Sequence, residues 1–173
     1  MEVLLEILKY TLPAIIMFGG VYLILKRFFQ HEILRSENER KQSIRHDVFS
    51  VRMQAYERIV LLLERISPNQ LILRLNKQGM TTGQLQPLLI QTIRDEFDHN
   101  LSQQVYVSSK AWDLTKSARE EMIRLINTAA ADIDNDEPST VLAAKILELF
   151  TGLEIDPVIR AIEFVKQEAR DLF

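Results

Sequence analysis

The chain has 173 residues, a net charge of -3 and no cysteine; that length holds one domain with a real core plus an appendage, and the missing cysteine excludes disulfides, thiolate metal sites and a Cys nucleophile. Only five Gly and five Pro interrupt long runs rich in Leu, Ile, Val and Ala, which points to an all-α fold. The charge is polarised: Lys26 to Lys77 carry eleven basic against six acidic residues, and Asp132 to Asp171 four basic against ten acidic.

From Tyr10 to Leu25 sixteen residues pass without a charge, within an apolar stretch from Leu4 to Phe29. At ~1.5 Å per residue that stretch reaches roughly 39 Å, enough for a hydrocarbon layer of ~30 Å with some tilt. A single transmembrane helix is expected, with residues 1–29 as the anchor and Lys9, Lys26 and Arg27 at its flanks, the last two extending their charges toward the headgroups. Glu2 and Glu6 precede the run and "LILKRFF" follows it, so the pattern is not that of a cleaved signal peptide. Lys26, Arg27, Arg35, Arg40, Lys41 and Arg45 follow the span. The positive-inside rule then places the N-terminus outside and the bulk of the chain in the cytoplasm, at the inner membrane. Arg35, Arg40, Lys41 and Arg45 would contact anionic lipid at that face.

Residues 30–47 are polar nearly all round and read either as a helix leaving the membrane or as a solvated linker. A helical domain is expected over 48–173, with about five main helices. Ile44, Val48, Val51, Ala55, Ile59, Leu62 and Ile66 step by three or four as one stripe. Val60, Leu61 and Leu63 add apolar side chains beyond it. A helix apolar on more than one side is either central in its bundle or covered by another chain, so these three form the candidate interaction face. Ser67-Pro68 opens a short helix, and Thr81 with Gln84 forms a capping box. Leu85, Leu88, Leu89, Ile93, Phe97 and Leu101 carry the next helix to about Gln103. "VYV" at Val105–Val107 reads as extended, Ser108 or Ser109 as a cap, and Trp112 to Ile133 as another amphipathic helix. "DIDNDEPS" is an acidic turn, with Ser139 or a neighbour capping a helix to Thr151, and Asp156-Pro157 starts the last.

Glu96 and His99 stand at Glu-x-x-His spacing, as in carboxylate-bridged di-iron bundles, but no second copy exists. The acidic turn mimics a calcium loop, yet Glu137 stands where Gly is needed and Ala143 where Glu should close it. Gly79 and Gly83 lack the spacing of a phosphate loop. Glu37, Glu39 and Asp47 dilute the basic segment and no aromatics interleave it, so nucleic acid is not an expected partner.

The runs "QAYERIVLLLERISPNQLILRLN" and "LQPLLIQTIRDEFDHNLSQQVYVSSKAWDLTKSAREEMIRLINTAA" resemble an uncharacterised family of small bacterial single-pass membrane proteins, a domain of unknown function. The resemblance implies a membrane-anchored helical protein and assigns no activity, cofactor or catalytic residue. The expected function is a membrane-anchored interaction or scaffold protein. It would self-associate or dock on another inner-membrane complex, with lipid and a protein partner but no cofactor, small-molecule substrate or catalytic activity. Two alternatives stand beside it: a metal-dependent or hydrolytic enzyme at Glu96 and His99, and a lipid-surface sensor using the basic juxtamembrane segment.

Overall fold

A computed structural model describes residues 17, 18, 20–22, 25–27 and 48–172. The chain divides into two units, Met1–Phe49 and Ser50–Phe173. In the first, the described residues from 17 to 27 are helical and exposed, Lys26 and Arg27 among them. Most of the expected span, Lys9, and the whole of 30–47 with Arg35, Arg40, Lys41 and Arg45 lie outside the described residues. Among the described residues no helix is long and apolar enough to cross a membrane.

Among the described residues every regular element of the second unit is helical, and the one β-bridge is an isolated antiparallel contact between Thr81 and Pro138. Helix α1 covers 48–66. Its buried face is Ala55, Tyr56, Ile59, Leu62, Leu63 and Ile66, a stripe of helical period. Val48 and Val51, expected in the same stripe, are exposed, because the core meets α1 only from Met53 onward. Helix α2 spans Pro68–Leu75 with Pro at its start, where the missing donor costs nothing. Ser67 occupies the cap position, but its hydroxyl donates back to the Glu64 carbonyl at 2.8 Å and so closes α1 instead of capping α2.

Helix α3 spans Thr82–His99, and Gln84 Oε1 accepts from the Thr81 N–H at 3.2 Å as the capping box requires. The helix stops short of Gln103. The Asn100 side chain donates to the Glu96 carbonyl at 2.9 Å, filling a bond the next helical N–H would have made. A 3-10 turn, Leu101–Val105, takes the place of the last expected helical residues, and Leu101 is exposed. Tyr106 and Val107 form a turn and a bend where an extended link was expected from Val105 to Val107. Leu88 also stands open: the buried face runs strictly by fours through Leu85, Leu89, Ile93 and Phe97, leaving it at the edge.

Helix α4, Ser109–Ala130, is the centre of the bundle and packs against α3, α5 (Ser139–Thr151) and α6 (Pro157–Arg170). Ser108 caps it, its Oγ accepting from Ala111 N–H at 3.1 Å. Trp112 lies 5.1 Å from Phe97, centroid to centroid, and the Arg119 guanidinium covers the other ring at 4.1 Å. Each fully buried Leu or Ile here is worth ~1.5–3 kcal/mol over leaving it in water. Asp156 caps α6 by accepting from Val158 N–H at 2.8 Å and Ile159 N–H at 3.1 Å.

The acidic turn is a docking element. The Glu137 carbonyl accepts from Thr82 N–H at 2.8 Å and the Asn135 carbonyl from Gly83 N–H at 3.0 Å, so the loop satisfies two first-turn donors of α3. Gly83 permits this approach, since a Cβ there would stand 3.1 Å from Asn135 Cβ. Ser139 does not cap α5; that position is Pro138, and the Ser139 hydroxyl donates to Asn76 Oδ1 at 2.6 Å.

Candidate functional site

Two constellations stand out on the bundle. The first is a groove of about 490 Å³ between the outer face of α1 and the end of α3, lined by Glu57, Arg58, Leu61, Arg65, Glu96 and His99 among others. Residues 57, 58, 61 and 65 recur at helical spacing and so share one side of α1. Leu61 is 52 % exposed in the middle of that side, a single large apolar group ringed by charges. The three residues of the expected interaction face part company here. Leu63 is 0 % exposed and belongs to the core, so it offers no surface to another chain. Val60 is partly buried and packs against the core, which leaves Leu61 as the accessible member. The physical reason is angular: 60 and 63 lie within the arc that faces α1's neighbours, whereas 61 falls opposite.

Glu96 and His99 both line this groove, so the sequence motif does bring them together. Glu96, however, is already engaged: Arg65 reaches Oε1 at 2.8 Å and Arg74 reaches it at 3.4 Å. A carboxylate between two guanidinium groups is neutralised and is a poor ligand for a cation. Among the described residues no three His, Asp or Glu side chains converge as a metal would require.

The second constellation joins α1, the start of α4 and the end of α6. The Glu168 carboxylate accepts from Tyr56 OH at 2.6 Å, from Ser108 N–H at 2.9 Å and from the Ser108 hydroxyl. Arg52 Nη2 donates to Tyr56 OH at 2.9 Å and its Nε to the Tyr106 carbonyl at 3.1 Å. Burial by itself raises the Glu168 carboxyl, but the Ser108 and Tyr56 hydroxyls, the Ser108 N–H and the Arg52 charge outweigh it and hold the group below its ordinary 4.5. Burial, with the donated bond to Glu168, pushes the Tyr56 phenol above 10.0. A serine beside a carboxylate suggests a nucleophile, yet the Ser108 hydroxyl oxygen is also the cap of α4. Moving it into a reaction would uncap the helix, so the cluster acts as a tie between three elements.

None of Arg52, Tyr56 or Glu168 was legible as a site. One signal was available: Tyr56 falls on the apolar face of α1, and a buried phenol needs a polar partner. No curated protein and no solved structure matches the chain. The DUF7935 family of unknown function matches residues 2–172, and the chain belongs to that family.

Proposed function

We propose that the chain is a membrane-anchored interaction protein without catalytic activity: a single span within residues 4–29 tethers the helical bundle to the cytoplasmic face of a bacterial inner membrane, where it associates with copies of itself or with another membrane complex. One observation carries the anchor. Met17, Phe18, Val21, Tyr22 and Leu25 are helical and 48–78 % exposed, and they sit in a sixteen-residue run without charge. Apolar surface left in water costs ~25 cal/mol per Å², and a bilayer removes that cost. Lys26 and Arg27, exposed at the end of the run, mark the headgroup level, and the basic residues through Arg45 would add ~1 kcal/mol each near an anionic surface.

The interaction half is supported by Leu61, an exposed apolar group at the centre of a charged groove. Fractionation of cells producing the full chain tests the proposal. The protein should sediment with membranes, resist alkaline carbonate, and come out in mild detergent bound to itself or to another protein. Recovery in the high-speed supernatant without detergent, as a monodisperse monomer, overturns it.

A further inference from the structure

The outer face of α1 carries a charge pattern that is antisymmetric about Leu61. Four residues before it stands Glu57 and four after it Arg65; three before it stands Arg58 and three after it Glu64. All four are exposed. Glu57, Arg58 and Glu64 make no ion pair among the described residues, whereas Arg65 is held in place by Glu96 at 2.8 Å. When two copies of such a helix lie antiparallel with Leu61 on Leu61, every charge meets its opposite: Arg58 faces Glu64 and Glu57 faces Arg65, each twice by symmetry. A parallel pair in the same register sets like against like at all four positions.

We propose that this face is a two-fold seam between two copies of the chain, with antiparallel α1 helices crossing at Leu61. The inference rests on the chain being an interaction protein and names its partner as a second copy. Leu61 of each copy closes the mouth of the groove in the other, which removes the exposed apolar group from water. The flanking pairs fix direction and register, the function charges serve best at a seam of this kind. Arg65, already oriented by Glu96, reaches Glu57 of the partner without first being ordered.

The natural absence of cysteine makes disulfide mapping of the full chain in native membranes direct. Leu61→Cys should form a covalent dimer on mild oxidation. Arg58→Cys and Glu64→Cys should each fail alone, because six residues separate the positions and the sulfur-bearing residues lie ~9 Å apart along the helix axis, beyond the ~7 Å limit of a disulfide. Co-expressed, the two variants should join. Arg58→Glu should weaken the dimer by about tenfold in its dissociation constant, and adding Glu64→Arg should restore it. Cross-linking of Arg58→Cys alone, a monomeric mass for the unmodified chain in mild detergent, or a double reversal that stays weak would each overturn the seam. Sedimentation of the same variants with membranes reads the anchor separately, so loss of the dimer and loss of the anchor are distinct results.

Discussion

Removing the Glu168 carboxylate is the sharpest test of how the bundle holds its first and last helices. In Glu168→Ala, Tyr56 OH, only 2 % of whose residue surface is exposed, loses its acceptor at 2.6 Å, and Ser108 N–H loses its acceptor at 2.9 Å. A buried donor left without a partner costs ~1–3 kcal/mol. With Ser108 half-buried and partly rescued by water, the two together come to about 3 kcal/mol, a large part of the ~5–15 kcal/mol that keeps a domain folded. Glu168→Gln keeps one acceptor oxygen for Tyr56 OH and Ser108 N–H but gives up the charge and the oxygen that accepts from the Ser108 hydroxyl, for a loss of about 1 kcal/mol. Urea unfolding of the full chain in detergent, followed through Trp112, the single tryptophan and buried against Phe97, gives both values. A Glu168→Ala protein within about 0.5 kcal/mol of wild type would refute the assignment of the cluster as a structural tie.

The same cluster sets a pH dependence. Because the folded Glu168 carboxyl sits below its ordinary 4.5, the native state binds fewer protons than the unfolded one in that window, so its contribution is complete at neutral pH and disappears as the pH falls from about 4.5 through the lower folded value. The stability gap between wild type and Glu168→Gln should therefore narrow as the pH is lowered below about 4.5, and a gap that stays constant throughout acidification would contradict this. Leu63→Ala should cost about 2–5 kcal/mol as a core cavity, while Leu61→Ala leaves stability within about 0.5 kcal/mol and weakens self-association, as unfolding and mass measurements on the two variants would show. Gly83→Val should destabilise by about 1–3 kcal/mol by pushing the acidic turn off α3, with hydrogen exchange rising at the Gly83 N–H that bonds the Asn135 carbonyl.

What the amino-acid order disclosed was whatever depends on local periodicity. The helix starts at Ser108 and Asp156-Pro157 follow from capping chemistry that acts within three residues, and the start at Pro68 from proline's fit to a first helical position without a cap from Ser67; the structure places each there. The end of α3 was missed because the group that stops it, the Asn100 side chain, competes with continued helix on nearly equal terms. Long-range ties were invisible for a different reason. Glu168 bonds Ser108 across sixty positions and Tyr56 across 112, and nothing in a helical repeat says which faces meet. Leu61 and Leu63 illustrate the same limit: both are apolar and two residues apart, and only the placement of α1's neighbours separates the exposed one from the buried one. The acidic turn was read by its charges, while its role lies in two backbone carbonyls that any residues could have supplied.

The most direct measurement of the account is labelling of single cysteines, introduced into the cysteine-free full chain, with a membrane-impermeant thiol reagent on intact spheroplasts. Glu2→Cys should react from outside and Asp171→Cys only after the cells are opened. Labelling of both positions in intact spheroplasts, or of neither until lysis, would contradict a single span with the bundle facing the cell interior.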